Sequence, residues 1–506
     1  MHVNALPGKN TSIWIDTTEK TNFPALDGDS KFDVAIVGGG IAGLSIAYFL
    51  KKAGKRVVVL ESEHIATGTT GYTTAKITSA HGLKYKYLID KFGVDKARLY
   101  AEANQTALRK IISIMEELRI LADLKSLPAY TYAVTEGDLT IIKDEVQAAS
   151  SLGLPVSFTK SLPLPYPVAG AIKYENQAGF HPRKYLLSLV KKIEGDGSRI
   201  FEQTKVLKVK EGDICQVVTE KGIILADDVV IASNFPFCDP GAYFAKLTAR
   251  QSLVIAVRLN GQVPQGLFYS TEKSFHSLRP QSYQGGEVLL VGGRLFQINE
   301  GNNLDESYEK LVSWTKEKFP VKSVLYRWTT SDSQSSDRVP LIGRVKSASK
   351  HLYVATGFSG WGMTHSTVAA MIISDLILAK KNSWSELYEP TRLATTTVRK
   401  GLVANLGKVS KFIEENWFRK SEKVELKKGE GKVIERDGQK IAVCLDERGK
   451  IHAVSAVCTH MGCIVDWNGV EKSWDCPCHG SRYDIDGEVI HGPAVHNLKR
   501  EKYNAS

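Results

Sequence analysis

Four of the chain's seven cysteines fall between positions 458 and 478. They stand in two short segments, Cys458-Thr-His460-Met-Gly-Cys463 and Cys476-Pro-Cys478-His479-Gly-Ser481. Each segment brings a thiolate and an imidazole close together. A [2Fe–2S] cluster in which two thiolates hold one iron and two imidazoles hold the other requires that mixed set. Cys458 and Cys476 would take one iron and His460 and His479 the other, so that two facing loops grip both metals. A zinc site is the alternative for these residue types. Zinc modules, however, usually begin with two closely spaced cysteines, and such a site would leave Cys463 and Cys478 idle.

A second constellation lies near the other end of the chain. Gly38-x-Gly40-x-x-Gly43 follows an apolar run, Val34 to Val37, and opens a helical pattern from Ile41 to Ala53. Gly54 ends that helix, and Arg56 to Leu60 forms another apolar strand closed by Glu61. The glycines allow a tight turn and close approach of a pyrophosphate to the helix N-terminus, and the Glu61 carboxylate can bind ribose hydroxyls. Strand, helix, second strand and terminal acid agree on a dinucleotide.

Both cluster loops, together with Gly492-Pro493-Ala494, resemble the Rieske proteins of cytochrome bc complexes, in which a Gly-Pro loop covers the cluster. Cys463 and Cys478 sit on different loops beside the ligands, and a bond between them would staple the cover. Ser481 and Tyr483 occupy places where high-potential members carry hydroxyls that donate to cluster sulfurs. Such donors stabilise the reduced cluster, so the expected potential lies toward the upper part of a range of roughly −150 to +300 mV. If both are instead loop-packing residues, no such effect follows.

The loop from Gly68 to Lys76, the segment Asp337-Arg-Val-Pro-Leu-Ile-Gly343 and the segment from Ala355 to Thr364 resemble the D-amino-acid-oxidase-like flavoproteins, which include glycine and sarcosine oxidases. That resemblance covers roughly residues 30 to 390. It implies non-covalent FAD, because no Cys or His matches the family's attachment points. It also places Gly357, Gly360, Gly362 and Thr364 near the flavin ring. Arg279 falls about where the family holds a substrate carboxylate, with an ordinary surface arginine as the alternative. The family's second arginine is replaced by Thr329-Thr-Ser-Asp332. Lys76, Tyr72 and His81 follow the first flavin loop and could face the ring, where a lysine could stabilise reduced flavin or activate oxygen. Lys76 and Arg279 are therefore the candidate catalytic residues. The whole arrangement resembles the FAD-dependent oxidoreductases with C-terminal Rieske domains found in Bacillus and relatives.

The elements that must position these residues suggest an α/β, Rossmann-like FAD-binding domain with an inserted α+β substrate domain, followed by a small all-β Rieske domain. Residues 1–30 read as a polar N-terminal lead anchored by Trp14 and Pro24, and 31–390 as the oxidoreductase. Residues 391–428 read as a linker helix, with Leu402, Leu406, Val409, Phe412, Ile413 and Trp417 on one face. Residues 429–506 read as the Rieske module, its strands punctuated by Asp-Gly, Arg-Gly and Asn-Gly turns. The linker face packs on a domain in preference to a peripheral membrane contact, because Glu414 and Glu415 interrupt its positive charge.

The chain has 506 residues, 43% of them hydrophobic and 24% charged, a composition that excludes disordered and fibrous classes. Its net charge of +11 is scattered without a recognition motif, so nucleic acid is not an expected partner. No apolar run is long enough for a membrane span, and no secretory signal is visible, which makes a cytoplasmic location the expectation.

A flavin beside a one-electron cluster suggests a dehydrogenase. A small amine or amino-acid-like substrate would be oxidised by hydride transfer to FAD, and electrons would leave singly to an unidentified one-electron acceptor. The alternative is a non-catalytic redox sensor or electron-transfer flavoprotein. An oxygenase would need a further site of two histidines and a carboxylate, and no paired motif supplies it.

Overall fold

The computed structural model describes residues 6–238, 241–297, 304–393, 426–436, 438–469, 471–478 and 480–503, except the side chains of 294–297. The expected linker helix falls almost wholly on residues 394–425, outside the described residues, and so does His479.

The runs Val34–Val37 and Val57–Leu60 are apolar at every position because their strands are covered on both faces. Strand Ser30–Val37 lies parallel between Ile223–Ile231 and Val57–Leu60, with Val230 and Val59 both opposite Ile36. Leu352–Thr356 extends the sheet beyond Ile223–Ile231, and Arg199–Phe201 extends it beyond Val57–Leu60. Helices Ile41–Lys52 and Gly362–Ile377 pack together on one face. The second of these is buried almost throughout from Met363 to Ser374. From strand Ser30–Val37 the chain runs on to Val57–Leu60 on one side and only later returns to Ile223–Ile231 on the other, and in such sheets that switch point opens a crevice beyond the strand ends.

A second, mostly antiparallel sheet of ten strands is inserted between these parts. Its longest pair is Leu247–Leu259 and Val321–Ser335, near one edge, which runs from Leu247 opposite Ser335 to Leu259 opposite Val321 with two shifts of register after Ala256. His276–Tyr283 and Gly286–Gln297 form the adjoining hairpin.

The N-terminal lead is a working part of this sheet, not an appendage. Lys9–Asn10 pairs parallel with Tyr326 and Arg327 at its edge. Trp14 is fully buried and its indole N–H donates to the Thr73 carbonyl at 2.6 Å, which ties the lead to the loop after Gly68.

The C-terminal module has cores of its own. One sheet contains Gly431–Arg436, Gln439–Leu445 and Ile451–Ser455. The other contains Asp466–Asn468, Ser473–Asp475, Arg482–Tyr483 and Val489–His491. Gly438 and Gly449, both with positive φ, turn the first sheet's two hairpins, where a side chain would be strained.

Candidate functional site

The Gly38–Gly43 segment fits a pyrophosphate for steric reasons. A Cβ at Gly43 would overlap the carbonyl oxygen of Gly38, and one at Gly38, where φ is +113°, would crowd the Ala232 carbonyl. Turn and helix can approach this closely only as glycines. Gly40 precedes the helix, and the Ile41 N–H donates to Thr70 Oγ1 at 3.0 Å. The Glu61 carboxylate accepts the Gly39 N–H at 2.7 Å and the Glu63 N–H at 3.0 Å. Burial pushes its carboxyl up, against the pull of those N–H groups.

These residues open into a cavity of about 760 Å³, within the usual size of cofactor sites of roughly 300–1,000 Å³. Gly38, Gly40, Glu61, Tyr72, Lys76, Gly360 and Gly362 line it. Tyr269, Phe275 and Trp361 add aromatic faces. Gly357, at φ +76°, shapes the late loop from behind. Thr364 is buried and donates to the Thr78 carbonyl at 3.1 Å, so it ties the helix to the segment after strand Lys76–Ile77 and is not among the lining residues. His81 also lies behind the wall, stacked on Trp361 and bonded to Tyr100 at 2.8 Å.

Asp332, in the stretch that replaces the second arginine, accepts the N–H groups of Ser333 and Gly360. Burial pushes its carboxyl up to about 6.

Arg279 is not a surface residue. It is 2% exposed, and its guanidinium donates to the carbonyls of Thr74, Ala75, Phe180 and Pro280 and to the Gln281 side chain. It braces the Thr73–Lys76 loop from the side away from the cavity lining. Lys76 is buried with its Nζ 4.6 Å from the centre of the Tyr269 ring.

In the C-terminal module, Cys458 and Cys476 are buried at the facing ends of the two loops. Cys463 and Cys478 are joined in a disulfide, and the sulfurs of Cys463, Cys476 and Cys478 lie within 4.8 Å of one another. The Tyr483 hydroxyl is 3.1 Å from the Cys458 sulfur. Ser481 Oγ accepts the Ala494 N–H at 3.0 Å, which links the second loop to the Gly492-Pro493 cover and leaves its own hydrogen for a sulfur. Two buried thiols, an imidazole and hydroxyls aimed at sulfur suit an iron–sulfur cluster.

Ser481→Ala removes one such donor. A hydrogen bond to a charged group contributes roughly 1.5–3 kcal/mol. For a one-electron couple that corresponds to a midpoint potential lower by roughly 60–130 mV. A redox titration followed by EPR measures it, and an unchanged potential would remove Ser481 from this role.

The two sites share a wall, which the linear order of the chain did not reveal. Glu471, Arg482 and the stretch Val489–Val495 of the C-terminal module line the same cavity as the glycine turn. Thr329 Oγ1 donates to Glu471 at 3.2 Å. The His460 ring meets Phe235 edge-on, with centroids 6.2 Å apart, and Phe235 lines the cavity. Phe235 carried no motif, and only the fold brings it here.

A glycine-cradled dinucleotide cleft faced by an antiparallel sheet, with a cysteine–histidine module at its mouth, defines a flavin-dependent oxidoreductase that carries an iron–sulfur domain. The profile of the FAD dependent oxidoreductase family matches residues 33–376, and that of the Rieske [2Fe-2S] domain matches residues 416–502. The chain belongs to the FAD dependent oxidoreductase family and carries a C-terminal Rieske domain, so its cofactors are FAD and a [2Fe–2S] cluster. It is 36% identical over 493 residues to the Rieske 2Fe-2S iron-sulfur protein YhfW of Bacillus subtilis (strain 168), a match that covers 97% of each chain. Gamma-glutamylputrescine oxidoreductase of Escherichia coli (strain K12) is 23% identical over 370 residues, which cover 70% of this chain and 85% of that one. Among solved structures, glycine oxidase from Geobacillus kaustophilus superposes with a TM-score of 0.61 at 19% identity, over 72% of this chain and 99% of that one. Among the described residues, no helix is long and apolar enough to cross a membrane.

Proposed function

We propose that the protein is a dehydrogenase for a small amine or amino-acid-like substrate, and that its electrons leave one at a time through the Rieske cluster to a one-electron acceptor. When bound, FAD accepts a hydride and hence two electrons, whereas the cluster carries one. The observation that carries this reading is the shared wall: Phe235 lines the flavin cavity, and its ring meets that of His460, the proposed cluster ligand.

The chain's own residues divide the work. Gly38 to Gly43 and the start of helix Ile41–Lys52 would hold the pyrophosphate, and Glu61 the ribose. The loop Thr73–Lys76, braced by Arg279, and the turn Ser359–Gly362 would flank the ring. Tyr269, Phe275 and Trp361 would shield the reacting carbon from water. The substrate class is supported by the name of the Escherichia coli relative and by the aromatic lining, which favours an ammonium group.

Anaerobic addition of glycine, N-methylglycine and putrescine to the holoprotein tests the proposal. At least one should bleach the flavin absorbance, and the EPR signal of the reduced cluster should follow. Bleaching by NADPH and by none of the amines would overturn it.

A further inference from the structure

Amines oxidised at carbon react through the neutral nitrogen, yet an alkyl ammonium resembles a lysine, with a pKa of about 10, and arrives protonated at neutral pH. A site for such substrates therefore needs a base. Four acids line the cavity: Glu61 is engaged by the N–H groups of Gly39 and Glu63, Asp332 by those of Ser333 and Gly360, Glu471 by Thr329 and Arg482, and Glu63 by Gln203.

Lys76 is in a different position. It stands on the short strand Lys76–Ile77, opposite Gly179, with its side chain on the cavity wall and 7% exposed. Its Nζ has Thr74 Oγ1 at 3.5 Å and the Tyr269 ring face at 4.6 Å. The charged group that faces it is the guanidinium of Arg279, from strand His276–Tyr283. Strand Leu267–Ser270 contributes the Tyr269 phenol, and the paired strand contributes the uncharged Gly179. Helix Gly362–Ile377 packs on the same strand, but its His365 is turned to Tyr100. No carboxylate answers Lys76 among the described residues. Beside it Tyr269 presents its ring to the same wall, while its hydroxyl is enclosed in the protein near Thr78. Lys76 thus stands on the cavity wall with most of its hydrogen-bonding capacity unspent.

We propose that Lys76 is the proton acceptor for the substrate's ammonium group, with the face of the Tyr269 ring beside it. The inference rests on the amine reading above. In the step one N–H bond of the substrate ammonium breaks and one Nζ–H bond forms. The positive charge passes from substrate to lysine, and no electron moves. The proton returns to water when the product leaves. Burial, and then the Arg279 charge, holds Lys76 well below the ordinary lysine range, the direction in which its neutral form is favoured.

Two measurements on the FAD-loaded full chain test the assignment, with Lys76→Met as the variant. In protein labelled with carbon-13 at lysine Cε, one resonance should titrate well below the ordinary lysine range and be absent from Lys76→Met. A Lys76 resonance that titrates with the bulk of the lysines would overturn the proposal. The rate of flavin bleaching by whichever of glycine, N-methylglycine or putrescine reacts is then followed against pH. Without Lys76 the amine must arrive already neutral, so the rate at pH 7 should fall by roughly 100- to 1,000-fold and recover about tenfold per pH unit. Identical profiles for wild type and Lys76→Met would overturn the role of Lys76 alone. A wild type inert to all three amines at every pH would overturn the amine reading, and this role with it.

Discussion

Cys476→Ser is expected to give a protein that still binds FAD and is bleached by substrate at the wild-type rate, but that no longer passes electrons to a one-electron acceptor. Serine would offer a hard oxygen where the iron needs a thiolate, and the neighbouring sulfurs of Cys463 and Cys478 are held in a disulfide. The reduced-cluster EPR signal should vanish. Turnover with ferricyanide should fall to background while the single-turnover bleaching rate is unchanged. The flavin end should be spared because Cys476 belongs to the core of the C-terminal module, which is separate from the cores of the oxidoreductase domain. Full ferricyanide turnover without the EPR signal would show that electrons leave the flavin directly and would remove the cluster from the pathway.

Gly43→Ala should produce the complementary loss. The new methyl group would overlap the Gly38 carbonyl oxygen and come within 3.2 Å of Ile36 Cγ2. Helix Ile41–Lys52 would have to retreat from the sheet, at a cost of about 1–3 kcal/mol or more for overpacking a tight contact. The same retreat withdraws the helix N-terminus from the pyrophosphate. The purified variant should contain little FAD by absorbance and melt at a lower temperature, yet retain its iron and its Rieske EPR signal. A full complement of flavin would mean that the turn is not the pyrophosphate cradle.

What could be read in the sequence was whatever repeats a local rule. The two cysteine–histidine segments and the glycine turn at 38–43 stand out because the chemistry proposed for them sets residue types at a short spacing. The turns at Gly438 and Gly449 follow from backbone conformation alone. Residues whose roles depend on distant partners were hidden. Lys9–Asn10 is too short for any periodicity, and its place at the sheet edge depends on Tyr326 and Arg327, more than three hundred residues away. Arg279 stands in an ordinary strand, and its burial is decided by four carbonyls from other segments and its own neighbour. A buried arginine costs so much to desolvate that such full engagement is required. The contact of Phe235 with His460 joins two domains, and no local pattern encodes it.

The wall that Glu471, Arg482 and Val489–Val495 contribute to the cavity also bears on kinetic order. Because both redox groups are carried by one polypeptide, their meeting is set by covalent connection, at a high effective concentration, and not by diffusion. Under the proposed route, the transfer between them should be first order and insensitive to dilution, with one cluster for every flavin. Only the final acceptor has to be found by collision.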